Sequence, residues 1–265
     1  MMRALWTAAS GMKAQQLNID TISNNLANVN TTAFKKQKVE FKDLLYANLK
    51  KPTLSQGNGS PVNLQVGHGV MPAATSRLFT SGNLDRTDRP LDLAIDGEGF
   101  FAIQGPNGDF FYTRDGNFNL SVDSEELKIV TSEGYTVLSD FDDEIILQQG
   151  MTDLTITDSG VVMVKNEDGE FEEIATIKLV KFLNPAGLEA VGRNLYKSTA
   201  ASGDEIPMED EGRTSNILQY YLETSNVQIV DEMVRMISAQ RAYEISSKTI
   251  QTADEMLGMA NNLRR

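Results

Sequence analysis

Large apolar residues recur every seven positions near the end of the chain, at Ile229, Met236, Tyr243, Ile250 and Leu257. Seven residues are close to two helical turns, so the five lie on one stripe of a helix. Small residues recur between them at Ala239, Ser246, Ala253 and Ala260. Large and small residues in alternation suit close packing on a second helix. The first segment supplies a partner, because Leu5, Ala9, Met12, Ile19, Ile22, Leu26 and Val29 recur at threes and fours. Residues 3–28 hold no proline and predict one helix. From Ile217 to the end proline is again absent, which predicts a second helix about 65–70 Å long.

Between the two ends the pattern changes. The run from Asn24 to Thr32 is rich in asparagine, which competes for helical hydrogen bonds and predicts a boundary near Asn30. Residues 37–49 predict a short helix through Val39, Phe41, Leu44, Leu45 and Leu49. Residues 50–72 are punctuated by Pro52, Gly57, Gly59, Pro61, Gly67, Gly69 and Pro72. They predict extended chain, with a hairpin near 63–66. Such a long irregular stretch is usually functional or disordered.

The block from about 84 to 183 reads as β. Leu91, Leu93 and Ile95 alternate with Asp92, Ala94 and Asp96, and Phe100-Phe101-Ala102-Ile103 leads into a turn at Gly105–Gly108. Asp115-Gly116 predicts a hairpin between Phe110–Thr113 and Asn117–Leu120, and Asn166–Gly169 another between Val161–Lys165 and Phe171–Leu183. The stretch 184–214 reads as mostly loop. The fold class expected is α+β: long N- and C-terminal helices paired as a coiled-coil-like domain, a central antiparallel β domain and an extended connecting stretch. Expected boundaries are 1–45 with 214–265 for the helical domain, 46–83 for the connection, 84–190 for the β domain and 191–213 for a return loop.

Charge sharpens this division. The net charge is −13, but residues 1–51 carry eight basic and three acidic side chains, whereas residues 121–180 carry three and fifteen. An acidic middle excludes nucleic acid as the main partner, since phosphate binding needs a basic surface. The chain has no cysteine, which excludes disulfides, thiolate metal sites and cysteine nucleophiles. No apolar run approaches the roughly 18 residues of a membrane span. The stretch Ala4–Ala9 after Arg3 is too short for a signal peptide and is broken by Ser10, Gly11 and Lys13. Any export is expected to need no cleaved signal.

Candidate chemistry is sparse. Ser10-Gly11-Met12-Lys13 matches S-x-x-K, but its companion motifs are absent and it lies on the first helix. His68 is the single histidine, so no histidine metal cluster can form. Gly97-Glu98-Gly99 is too short for a dinucleotide fingerprint and reads as a turn. The acidic groups at Asp140–Glu144 and Glu167–Glu173 lack the spacing of a calcium loop. Tyr220 and Tyr221 read as packing residues. No catalytic, cofactor or metal site is expected, and no small-molecule substrate. An enzyme or adhesin with coiled-coil ends is the alternative from another class. It would require a selected carboxylate pair or an aromatic cleft.

The motifs themselves resemble a known family. Ser23-Asn24-Asn25-Leu26-Ala27-Asn28-Val29-Asn30-Thr31-Thr32 with Phe34-Lys35 is similar to the N-terminal signature of bacterial flagellar rod and hook proteins. Ser225-Asn226-Val227, Glu232-Met233-Val234 and Gln240–Glu244 resemble their C-terminal signature. Leu91–Ile95 with Gly97, Gly99, Phe100 and Phe101, then Tyr112–Gly116, resemble the central β motif. Leu64–Ala73 and Asn184–Glu189 look like the distal-rod branch. Ala33 stands where the family commonly has glycine, which would permit positive φ at a helix end.

The resemblance implies a structural subunit of the flagellar distal rod, exported unfolded and polymerised into a straight, hollow shaft that carries torque from motor to hook. A proximal-rod or hook-type subunit is the alternative within the family. The implied partners are further copies of the chain, proximal-rod subunits, hook subunits or a hook adaptor, the P-ring and L-ring bushings and the export apparatus. The implied location is the basal body. The two apolar stripes are the expected assembly residues. The stretch marked by Tyr46, Pro52, Gly57, Gly59 and Pro61 is expected to confer rigidity.

Overall fold

A computed structural model describes residues 2–50, 63–123, 126–148, 152–166, 170–208 and 215–262. Contacts divide the chain into two compact units. Unit 1 comprises residues 1–27, 37–77 and 228–265, and unit 2 comprises 28–36 and 78–227. The class is α+β, with a helix at each end and antiparallel β structure between them.

In unit 1, helix α1 (Met2–Ala27) packs against helix α2 (Ile229–Asn262). Their buried residues are mostly small: Ala8 and Ala14 on α1, Ala239 and Ala253 on α2. A Cβ added at Gly11 would lie 3.6 Å from the Ser246 hydroxyl, so small residues set a close crossing. Strands β1 (Gln37–Asp43) and β4 (Val70–Arg77) form an antiparallel ribbon against α1, and β2 (Ala47–Lys50) pairs with β3 (Leu64–Val66).

Residues 37–49 are therefore strand, not the expected short helix. Val39 is the one buried residue of β1, and the strand is defined by its pairing with β4 from Gln37↔Arg77 to Asp43↔Val70. The partner that settles it, β4, lies about thirty residues downstream, beyond the reach of local helical spacing. The hairpin expected near 63–66 is instead β3 paired back to β2.

Unit 2 holds the remaining strands: β5 (Leu84–Arg86), β6 (Leu93–Asp96), β7 (Phe100–Gln104), β8 (Phe110–Thr113), β9 (Phe118–Asp123), β10 (Glu126–Thr131), β11 (Thr136–Val137) and β12 (Ile146–Gln148). There follow β13 (Thr152–Ile156), β14 (Val161–Lys165), β15 (Phe171–Thr176), β16 (Leu179–Lys181), β17 (Glu189–Gly192), β18 (Leu195–Lys197), β19 (Ile206–Pro207), β20 (Asn216–Gln219) and β21 (Tyr221–Glu223). The largest sheet runs β12–β10–β11–β7–β8–β18–β17, and β13–β14–β15 form another.

Strand β7 explains its own composition. Phe101 and Ile103 point into a core with Leu93, Ile95, Phe118, Val162 and Ile217, while Phe100 and Ala102 point into a second cluster with Tyr112, Phe182 and Tyr196. A strand covered on both faces reads as a continuous apolar run.

Two further expectations change. The pattern from Ile217 is not one helix, because β20 pairs with β6 and β21 with β5 before α2 begins. Ile217 is fully buried in the unit 2 core, and the positive φ of Tyr220 breaks the run between β20 and β21. Tertiary pairing overrides a stretch whose apolar residues fit either period. Nor does Asp115-Gly116 close a hairpin, since β8 pairs with β7 and β18, and β9 with β10. A Cβ at Gly116 would lie 1.7 Å from the Leu93 carbonyl oxygen. That glycine permits close backbone approach rather than a two-residue turn.

Candidate assembly faces and a polar clasp

Unit 1 places the expected assembly residues unevenly. On α1, Ile22 is buried and Leu5, Met12, Ile19 and Leu26 are half-buried, but Ala9 is exposed and its neighbour Ala8 takes the inward place. Val29 lies beyond the helix and is half-buried in unit 2. On α2, Met236, Ile250 and Leu257 are half-buried, while Ile229 and Tyr243 are exposed.

Sequence reading missed a second stripe. Val230, Met233, Val234, Ile237 and Ile245 are all exposed, by 51–73%. At 100° per residue they fall on the side of α2 opposite Glu232, Ala239 and Ala253. The outward residues of α1 differ in kind: Lys13, Gln16, Asp20, Ser23 and Asn24. The outer side of α2 is apolar over Val230–Ile237 and mixed beyond it, where Arg241, Glu244 and Lys248 flank Ile245. An exposed apolar patch of this kind suits burial against another surface. The signal is the spacing Val230-x-x-x-Val234-x-x-Ile237, which runs beside the heptad stripe on the same helix.

A buried polar knot fixes the base of the helix pair. The Asn25 amide donates to the Gln37 carbonyl oxygen at 2.9 Å and to Glu232 Oε2 at 3.1 Å, and its oxygen accepts the Gln37 N–H at 2.9 Å. One asparagine thus ties α1, β1 and α2. A buried polar group of this kind can fix register.

The segments read as possible chemistry serve packing. The Ser10 hydroxyl donates to the Thr7 carbonyl oxygen and accepts from Val70 N–H. Gly69, at φ 114°, leaves no room for a Cβ beside that hydroxyl. His68 is exposed between Gly67 and Gly69. Among the described residues no group of three metal-ligating side chains occurs, and no helix is long and apolar enough to cross a membrane. Tyr46 is 54% exposed, and its hydroxyl bonds to Asp43, which holds its pKa above the usual value. Pro52, Gly57, Gly59 and Pro61 lie outside the described residues.

Unit 2 contains a buried ionic cluster. Glu223 accepts from Lys35 Nζ at 2.6 Å, Arg114 Nε at 2.8 Å and Gly82 N–H at 2.7 Å. All three charged residues are at most 2% exposed. Arg114 also donates to the carbonyl oxygens of Gly97 and Gly99, so the Gly97-Glu98-Gly99 turn serves as an arginine cradle. Burial and the neighbouring Arg114 charge push the Lys35 pKa down to about 8, against the upward pull of Glu223. Burial raises Glu223, but Arg114 and Lys35 outweigh it and hold the carboxyl below its usual range.

Above this cluster sits Asn226. Its Oδ1 accepts the Lys36 N–H at 2.8 Å and its amide donates to the Leu78 carbonyl oxygen at 2.8 Å. Leu78 N–H in turn donates to the Lys36 carbonyl oxygen at 3.0 Å, and Ala33 N–H to the Glu223 carbonyl oxygen at 2.8 Å. Ala33 adopts φ 54°, so alanine accepts the left-handed geometry expected of glycine there. Lys35, Arg114 and Asn226 stood in the sequence motifs without a role.

The chain combines a helix at each end with an antiparallel β unit between them in sequence. Family models match it. Residues 5–35 match "Flagella basal body rod protein", 94–164 match "Flagellar hook protein FlgE/F/G D1 domain", and 218–263 match "Flagellar basal body rod FlgEFG protein C-terminal". The class is that of flagellar rod and hook proteins. The flagellar basal-body rod protein FlgG of Borreliella burgdorferi is 50% identical, covering all of both chains. The FlgG of Caulobacter vibrioides is 46% identical over 99% of this chain and all of its own, and that of Bacillus subtilis 35% over all of both. The chain belongs to the flagellar basal-body rod protein FlgG family, and is a structural subunit of the distal rod rather than an enzyme.

Proposed function

We propose that copies of this chain polymerise head to tail into a straight, hollow shaft, with the terminal helices inside and the β unit outside. The observation that carries this is the apolar outer stripe of α2. Exposed apolar surface costs roughly 25 cal/mol per Å², and stacking copies remove that cost. A heterologous contact that does not close grows a filament. In the filament α1 and α2 pair as a coiled coil along the Met236–Ile250–Leu257 side, and a neighbour covers the Val230–Ile245 side.

On this reading, α1 and α2 act as the assembly elements, the stretch 46–83 as a brace and unit 2 as the outer domain. The expected bounds at 191–213 and 214 move, because β18, β20 and β21 pair within unit 2. The termini order fully only on assembly, since unit 1 buries few large side chains within one copy. The chain leaves the cytoplasm through the flagellar export apparatus. It meets proximal-rod subunits at one end and hook subunits or an adaptor at the other, inside the P and L rings, and carries torque. The stretch from Tyr46 through Pro61 supplies straightness, so deleting residues 46–63 yields filaments that bend.

The test is electron microscopy of concentrated full-length protein beside Val234→Ser/Ile237→Ser. Straight tubes from the parent and none from the variant support the reading. Tubes of equal yield from both overturn it.

A further inference from the structure

The chain passes between its two units four times, after residues 27, 36, 77 and 227. Three of these exits from unit 2 are bonded to one another. Lys36 N–H reaches Asn226, Asn226 reaches the Leu78 carbonyl oxygen, and Leu78 N–H returns to the Lys36 carbonyl oxygen. The same amide lies 3.2 Å from the Thr80 carbonyl oxygen and 3.0 Å from the Thr80 hydroxyl. Each exit is anchored a second time close by in sequence: Lys35 donates to Glu223 and to the Thr80 carbonyl oxygen at 2.8 Å, and Thr224 N–H donates to the Asn83 carbonyl oxygen.

We propose that this arrangement is an anti-swivel clasp, with Asn226 as its positioning residue, that lets torque pass through the subunit without being absorbed in the connections. The inference rests on the shaft reading above. A single peptide link rotates freely about its φ and ψ, and a twist applied at one end is lost in those bonds. Three links held side by side cannot rotate independently, because turning any one breaks hydrogen bonds to the other two.

The side chain suits the task. Asn226 supplies an acceptor to one exit and donors to another from a single planar amide. The nearby salt-bridged Lys35–Glu223–Arg114 cluster is buried, so breaking its pairs is costly. Flexible coupling needs none of this. A loose polar loop at each exit would connect the units equally well.

The experiment uses full-length Asn226→Asp, which keeps the acceptor but removes the donors, and Asn226→Ala. Filament stiffness is read from thermal shape fluctuations in the microscope, and twist compliance from the recoil of a bead on a tethered filament. Thermal unfolding of each monomer reports whether unit 2 still folds. The expected result is a several-fold rise in twist compliance for both variants, with filaments still formed and the unit 2 transition retained. Asn226→Asp with normal filaments, clasp amides that exchange freely with deuterium and unchanged twist compliance overturns the clasp while leaving the shaft reading intact. Parent protein that forms no filament overturns both.

Discussion

Unit 2 closes its own core and unit 1 does not. In unit 2, Phe101, Ile103, Phe118, Val137, Val162 and Ile217 are wholly buried by their own chain. In unit 1 the most buried side chains are chiefly small or polar, while Trp6, Leu45, Val230 and Ile245 stand between 67% and 89% exposed. Both units are apolar enough to fold. The difference lies in the core: unit 2 buries many large side chains within one copy, although Phe141 and Leu183 stay 87–89% exposed, whereas the described part of unit 1 buries mostly small ones. Substitutions should therefore report on stability in unit 2 and on assembly in unit 1.

The largest effect is expected at the ionic cluster. Glu223→Gln leaves Lys35 and Arg114 buried without their counter-charge, and breaking a buried pair in this way costs about 3–5 kcal/mol. Denaturant unfolding of the monomer measures it. Adding Lys35→Met should recover part of the loss, because it removes one uncompensated cation. A double variant as unstable as the sum of its parts would show that packing, not charge, holds the cluster.

Next come paired truncations that test the comparison directly. Ile217→Ala should cost about 2–5 kcal/mol in the monomer, as a large-to-small change in a closed core. Val234→Ser on the outer stripe of α2 should shift monomer stability by no more than about 0.5 kcal/mol, while reducing filament yield. Equal destabilisation by the two would erase the distinction between the units.

This distinction was only partly legible in the sequence. The ends of α1, the turn at Gly105–Gly108 and strands such as β7 and β14 could be read because local period and local fold agree. Residues 37–49 and 217–223 could not, because each pairs with a strand far away in sequence: β1 with β4, β20 with β6 and β21 with β5. The clasp was hidden for the same reason. Lys35 and Glu223 are 188 residues apart, and no periodicity links them. Lys35 stands in the N-terminal motif and Glu223 just ahead of the C-terminal one, and the two form one buried site.

A smaller effect follows from pH. Lys35 titrates near 8 in the folded state and near 10.5 when exposed. Between those values the unfolded chain binds more protons, so stability rises with pH. Below pH 8 both states are protonated and the gain is absent. Burial and Glu205 raise the Tyr112 pKa above the ordinary tyrosine value of 10.0, so tyrosine ionisation of the unfolded chain opposes the gain above that point. Unit 2 should become more stable from pH 8 to 10, and Lys35→Met should flatten that rise. A parent protein that instead weakens steadily across this window would place the Lys35 ammonium in contact with water.

The smallest effect is expected at Ala33→Gly. The left-handed φ of 54° costs a Cβ-bearing residue about 1–2 kcal/mol, which glycine relieves. Glycine also gives up about 0.5–1 kcal/mol in unfolded-state entropy and forfeits a buried methyl of about 0.8 kcal/mol, since Ala33 is 1% exposed. The contributions nearly cancel, so calorimetry should find a change under about 0.5 kcal/mol in either direction. Ala33→Val provides the contrast, because a β-branched side chain is far less tolerant of positive φ. Near-neutral glycine beside a damaging valine would mean that this position selects against bulk rather than for glycine. In unit 2, where the chain supplies its own cover, the Ala33 N–H bond to Glu223 can hold a strained backbone in place. Among the described residues of unit 1, Val230, Val234 and Ile237 on the outer face of α2 stay 54–73% exposed.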